Sequence, residues 1–67
     1  MEVLQKVKTK VSTRYNAFGI HDHTQIPEHT DLYCIDHIID DGYIYALCIY
    51  KGSLRVLNPD DLFYYDR

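Results

Sequence analysis

Two short turn sequences in the second half of the chain, Asp40-Asp41-Gly42 and Lys51-Gly52, most constrain what it can fold into. They separate three runs of β-branched, aromatic and other apolar residues, at 31–39, 43–50 and 53–57. Glycine supplies the positive φ that a tight hairpin connection needs, and runs of this composition are typical of strands. The pattern therefore predicts a meander of three antiparallel strands over residues 31–57.

The register of the first hairpin depends on the length of its turn. A three-residue loop at 40–42 places Ile35 opposite Leu47, whereas a two-residue turn places Asp36 there. Because a shift of one residue moves every side chain to the other face, we prefer the loop that keeps the carboxylate out of an apolar face. This register also places Cys34 opposite its partner in the next strand, Cys48. The predicted core face then carries Tyr33, Ile35, Ile39, Tyr43, Tyr45, Leu47, Ile49, Leu54 and Val56, interrupted by His37.

The remaining segments are predicted from local composition. Three valines and a threonine favour a strand over residues 1–11, with an amphipathic helix as the alternative. Residues 12–30 have no sustained period and are expected to form one long loop. Residues 58–62 predict a single helical turn, because an asparagine can cap it and a proline fits its first position. A short last strand is expected at 63–66.

The order of these elements resembles that of SH3-like barrels. The resemblance covers roughly residues 36–66: the segment 40–46 resembles the acidic turn and aromatic strand start of an SH3 domain, and Lys51-Gly52 resembles its distal hairpin. Residues 56–62 resemble the family's strand, helical turn and final strand, and 12–30 stand where its long first loop stands.

The resemblance implies one mostly β domain over residues 1–67, a small five-stranded SH3-like barrel with a long first loop and one helical turn near the C-terminus. The short, tyrosine-rich chain is also similar to small SH3-like proteins of bacteria and their phages. Tyr43 stands where the members that bind proline-rich peptides carry a tryptophan, so the resemblance does not extend to that ligand.

Composition and charge narrow the classes of function. The sequence shows no apolar leader and no apolar run long enough to span a membrane, so we expect a cytoplasmic protein without membrane contact. Two cysteines are too few for the disulfide framework of a small secreted domain. The net charge of −3 argues against nucleic acid as the main partner, because phosphate binding needs a basic surface.

Seven tyrosines and no tryptophan favour a binding role. Tyrosine is enriched in protein interfaces, since it offers a large contact area with few torsions to restrict. No nucleophile, base and orienting group form a recognised local motif, so we do not expect an enzyme. We expect a module that binds a protein partner, or a second copy of itself, through exposed aromatic side chains and acidic turns. The candidate residues are Tyr15, Phe18, Asp40, Asp41, Tyr43, Asp60, Asp61 and Tyr64.

Two alternatives stay open. The first is a zinc-binding module, because imidazole and thiolate groups are zinc ligands and all four histidines lie near a cysteine. Its candidate ligands are His21, His23, His29, Cys34 and His37. The last two would converge only if their strand bends, since residues i and i+3 of a strand point to opposite faces. The second alternative is a weak nucleic-acid binder that uses Lys6, Lys8, Lys10 and Arg14 with Tyr15. Apart from zinc, no cofactor is expected.

Overall fold

The computed structural model describes residues 4–65, which form five strands and one 3₁₀ turn. The strands are β1 Gln5–Thr9, β2 Asp31–Asp40, β3 Tyr43–Tyr50, β4 Ser53–Leu57 and β5 Leu62–Tyr64, and the turn spans Pro59–Asp61. The prediction of a mostly β fold is confirmed. The parts of the predicted first and last strands that fall on residues 1–3 and on Asp66 lie outside the described residues. In residues 4–65, no helix has the length and apolar character that a membrane span requires.

All five strands belong to one antiparallel sheet, in the order β4-β3-β2-β1-β5. The last strand returns to the first, where Lys8 pairs with Phe63 and Val7 with Tyr64. Within the described residues, the edge strands β4 and β5 are not paired with each other, so the sheet is open. The observed architecture is thus a five-stranded open sheet, where a closed barrel was expected.

Both hairpins of the meander close through two-residue turns. Positive φ values occur at Asp41 and Gly42, of 51° and 81°, and again in Lys51-Gly52, of 50° and 79°. Positive φ at both central residues is the pattern of type I′ turns, whose twist matches that of the flanking strands. The predicted turn at Lys51-Gly52 is confirmed. The three-residue loop predicted at 40–42 is wrong, because Asp40 pairs directly with Tyr43.

A β-bulge in β2 shifts the register of the β2–β3 pair by one residue. Asp36 pairs with Leu47, as the two-residue turn requires, but the register then shifts and Cys34 pairs with Cys48. Ile35 is therefore the extra residue of the bulge, which bends its strand. The predicted opposition of the two cysteines is confirmed, whereas the predicted pairs between the bulge and the turn are wrong by one residue.

The core lies on the face of the sheet opposite to the predicted one. Of the predicted core residues, Val56 is buried as expected, whereas Tyr33 is 51% exposed, Ile39 75% and Tyr43 66%. The reason is the long loop, whose Ile26 is fully buried against the other face, where small cysteine and alanine side chains leave room for it. The buried cluster consists of Val7, Ile26, Leu32, Cys34, Ala46, Cys48, Leu57 and Leu62, with Tyr50 packed against it.

The long loop also covers the outer edge of β4. The backbone N–H of Ala17 donates to the carbonyl of Val56 at 3.1 Å. The side chain of Asn16 accepts from the Val56 N–H at 2.7 Å and donates to the carbonyl of Leu54 at 3.2 Å. These bonds satisfy backbone groups that an edge strand would otherwise leave open to another chain.

The buried side chain of Arg55 connects β4 to the long loop by hydrogen bonds. Its side chain is fully buried, and the guanidinium donates to the carbonyls of Thr24 at 2.6 Å and Tyr15 at 3.1 Å. Asp22 adds an opposite charge nearby. Its pKa is lowered from 3.8 to about 2, chiefly by hydrogen bonds from Thr24 and also from Ser53, with a further contribution from Arg55. The position of Tyr15 is consequently tied to β4.

Candidate functional site

An open groove lies between the long loop, the start of β3 and the 3₁₀ turn. Its volume is about 580 Å³. Because the three segments are distant in sequence, no local motif marks the groove. It is lined by Tyr15, Gly42, Tyr43, Ile44, Tyr45, Asn58, Pro59 and Asp60.

Three tyrosines give the groove its aromatic surface. The side chains of Tyr15 and Tyr43 are 47% and 66% exposed, so they offer their rings to solvent. Tyr45 is half-buried and packs edge to face against Phe18, with the ring centroids 4.9 Å apart. This geometry is a favourable one for aromatic pairs and holds the third ring in place.

Carboxylates surround these rings. Asp60 lines the groove, and Asp40 at the end of β2 and Asp41 in the β2–β3 turn adjoin it, all of them exposed. The ion pairs found within residues 4–65 involve other acidic groups, namely Asp31 and Glu28. The pKa of Tyr45 is raised by partial burial and then by nearby groups, including Tyr15 and the turn aspartates. The groove is therefore electronegative as well as aromatic.

Each wall of the groove has a specific structural support. Asn58 caps the 3₁₀ turn, accepting from the Asp60 N–H at 2.9 Å, and Pro59 occupies its first position. Both features follow the sequence prediction. On the other side, the bond from Arg55 to the carbonyl of Tyr15 fixes the loop wall. One wall is thus set by a local helix cap and the other by a long-range hydrogen bond from a buried side chain.

The predicted partner-binding residues are divided between the groove and other places. Tyr15, Tyr43 and Asp60 line the groove, Phe18 supports Tyr45, and the two turn aspartates adjoin it. Asp61 lies in the same 3₁₀ turn but does not line the groove, and its carbonyl accepts from the Lys10 N–H at 2.7 Å. Tyr64 does not line the groove either, and its hydroxyl lies 2.8 Å from Nε2 of His37. Sequence reasoning missed Ile44, Tyr45, Asn58 and Pro59, which were assigned to the sheet or to the cap alone.

Comparison of this chain with protein-family models, curated proteins and solved structures found no match.

The histidine-rich set proposed as zinc ligands is not assembled into one site. His23 lies 3.1 Å from the carbonyl of Arg14, and His29 lies 3.3 Å from the carboxylate of Glu28. His21 is exposed in the same long loop. Within residues 4–65, no three histidine, cysteine, aspartate or glutamate side chains are arranged so that they could hold a metal ion.

Cys34 and His37 do converge, and the bulge at Ile35 is the reason. The Cys34 Sγ atom lies 3.8 Å from Nε2 of His37, which is 2.8 Å from the Tyr64 hydroxyl. Burial raises the pKa of the Cys34 thiol and raises that of Cys48 to about 12. Since the thiolate is the reactive and metal-binding form, the raised pKa values keep both cysteines as neutral thiols.

The residues of the nucleic-acid alternative are also separated into two groups. Tyr15 lines the groove, whereas Lys6 and Lys8 lie over the ring of Tyr65 and Lys10 over that of Phe63. The structure thus adds two aromatic rings of the C-terminal segment, which sequence reasoning had not connected with the lysines.

Proposed function

We propose that this protein is a non-enzymatic binding module whose groove holds a cationic segment of a partner protein. The observation that carries the proposal is the convergence of Tyr15, Tyr43 and Tyr45 on one groove that has carboxylates at its margin. The face of an aromatic ring attracts lysine and arginine side chains, and nearby carboxylates add attraction and steer the approach of the partner.

The composition of the groove supports binding rather than catalysis. Of its lining side chains, Asp60 alone is a carboxylate, and the lining includes no histidine, cysteine, serine or lysine. A nucleophile with a neighbouring base, as covalent catalysis needs, is thus not among them. The tyrosines supply contact area with few torsions to freeze, which favours affinity. The net charge of −3 also favours a basic partner.

We further propose that the open sheet is a variant of the SH3-like barrel. The pairing of β5 with β1, the β2–β4 meander and the 3₁₀ turn before the last strand support this relation. In that framework the long loop and the β2–β3 turn flank the groove. A cytoplasmic location fits the free thiols of Cys34 and Cys48.

A comparison of two tyrosine variants tests the proposal. The tagged chain is used to capture partners from its host, and the affinity of the purified partner is then measured for Tyr43→Ala and for Tyr33→Ala. Tyr33 is the matched control, since it is 51% exposed but does not line the groove. We expect Tyr43→Ala to weaken binding by about tenfold or more, as interface tyrosines often do, and Tyr33→Ala to leave it unchanged. Equal effects of the two substitutions would contradict the proposal.

A further inference from the structure

A second surface, which we call the basic-aromatic patch, lies on β1 and the C-terminal segment. It consists of Lys6, Lys8, Lys10, Phe63 and Tyr65. The ammonium groups of Lys6 and Lys8 lie 5.3 Å and 5.7 Å from the centroid of the Tyr65 ring, and that of Lys10 lies 5.2 Å from the centroid of Phe63. The patch shares no lining residue with the groove.

The alternation of β1 produces this patch. Val7 and Thr9 point into the core and are at most 1% exposed, so Lys6 and Lys8 point to the outer face. Phe63 pairs with Lys8 across the β1–β5 ladder. Next to it, the N–H of Tyr65 donates to the carbonyl of Lys6 at 3.1 Å. Each cation therefore has an aromatic neighbour on the same face.

The rings of the patch are open to solvent. Phe63 is 51% exposed and Tyr65 39%. Together with Lys8 and His29 they line a shallow depression of about 350 Å³. Alternate residues of a strand are about 6.6 Å apart, so the lysines of β1 are spaced like successive phosphates of an extended polynucleotide.

We propose that the basic-aromatic patch binds single-stranded nucleic acid, with bases stacked on Phe63 and Tyr65 and phosphates held by the three lysines. Proteins that bind single strands without sequence preference combine these two elements, a cationic track and aromatic stacking platforms. An acidic protein segment would use the lysines but leave the two rings without a stacking partner. The expectation against nucleic acid came from the net charge of the whole chain, whereas a bound strand experiences the local field of this patch.

Two carboxylates reduce the net positive charge of the patch. Asp31 lies 3.9 Å from the ammonium of Lys6 and accepts a hydrogen bond from the Tyr65 hydroxyl at 2.8 Å. Glu28 lies 3.3 Å from His29. Asp31 therefore orients one lysine and one ring, while both acids lower the net charge. The binding that follows is weak and depends strongly on salt.

Fluorescence anisotropy with a labelled oligothymidylate of roughly 12 nucleotides tests this inference, since single-strand binding folds cover about 4–16 nucleotides. We expect saturable binding at low salt. With three lysine–phosphate contacts, the logarithm of the affinity should fall against the logarithm of the salt concentration with a slope of about −2. Absence of saturable binding at low salt would overturn the inference.

Matched variants distinguish binding at the patch from a nonspecific effect of the net charge. The ammonium of Lys51, in the β3–β4 turn, lies 5.5 Å from the centroid of the Tyr50 ring. Lys51→Ala therefore removes the same charge and the same kind of contact at a site outside the patch. We expect Lys8→Ala to lower the salt slope by about 0.7, Phe63→Leu to weaken binding at least fivefold, and Lys51→Ala to change neither. Circular dichroism confirms that each variant is folded. Equal losses in Lys8→Ala and Lys51→Ala, or equally tight binding of polyglutamate, would overturn the inference.

Discussion

Arg55 shows how a single residue connects the sheet to the groove. The guanidinium is fully buried and donates to the carbonyl of Tyr15, so the loop that carries one groove tyrosine is tied to β4. A buried cation needs hydrogen bonds and opposite charge to compensate it. Loop carbonyls accept from the two terminal nitrogens and Asp22 adds a nearby charge, while Nε has no hydrogen-bond partner within residues 4–65. Backbone carbonyls have no sequence signature, so this role of Arg55 could not be predicted from the sequence.

Acid should weaken the tie between the loop and β4. Hydrogen bonds from Thr24 and Ser53, with the charge of Arg55, lower the pKa of Asp22 from 3.8 to about 2. A carboxylate with a depressed folded-state pKa stabilises the fold fully above its ordinary pKa, and this contribution is lost as the pH falls through the lower value. We therefore expect the Tm to decrease between roughly pH 4 and pH 2, and Asp22→Asn to reduce this dependence. Calorimetry on both proteins measures it, and identical pH profiles would contradict the role of Asp22.

The two cysteines should react slowly with thiol reagents in the folded protein. Burial raises the pKa of both thiols, that of Cys48 to about 12, and reaction with a disulfide reagent needs the thiolate. We expect the rate of modification by Ellman's reagent to rise by about 100-fold or more when urea unfolds the chain. Fast labelling of either cysteine without denaturant would show that the cluster opens far more readily than its packing indicates.

Among the elements, the long loop contributes more to stability than its lack of strands suggests. Asn16 accepts from the Val56 N–H and donates to the carbonyls of Leu54 and Asp22. Because Asn16→Ala leaves buried backbone groups without partners, it should lower the free energy of unfolding by roughly 2–3 kcal/mol. The contrasting variant is Asn58→Ala, which removes an exposed cap and should cost about 1 kcal/mol. Urea titrations compare them, and a smaller loss for Asn16→Ala would contradict this account of the loop.

The elements were predictable where a local signal exists. Glycine turns, a capping asparagine and β-branched runs identified the hairpins, the 3₁₀ turn and the strands. The bulge was not predictable, because isoleucine is a residue type that is common in regular strands and Ile35 therefore carries no bulge signal. The buried face was predicted wrongly because both faces of the meander are apolar, and the choice between them depends on where the distant Ile26 packs.

The same limit applies to the candidate site. Tyr15, Tyr43 and Asp60 were singled out by residue type, since exposed tyrosines and acidic turns favour interfaces. Their assembly into one groove depends on the loop conformation that Arg55 fixes, and no local pattern encodes it. Tyr64 has the same residue type but lies beside His37 instead. Residue type thus predicted the chemistry of the surface, while tertiary contacts determined its location.

At the scale of the whole molecule, charge is distributed unevenly over a chain of net charge −3. The acidic, aromatic groove and the basic-aromatic patch share no lining residue. We therefore expect them to act independently, because coupling between two sites requires a shared or bistable element. Lys8→Ala should leave the affinity of the groove for a cationic ligand unchanged, and titration calorimetry measures this. A change of several-fold would indicate that the surfaces are coupled.

The most direct test of the central claim is a ¹⁵N NMR titration with a short arginine-containing peptide, at moderate salt. The account predicts saturable shift changes at the backbone amides of Gly42, Tyr43, Tyr45 and Asp60, and their loss in Tyr43→Ala. Shift changes spread evenly over the backbone amides of all acidic residues, or centred on residues outside the groove, would contradict it.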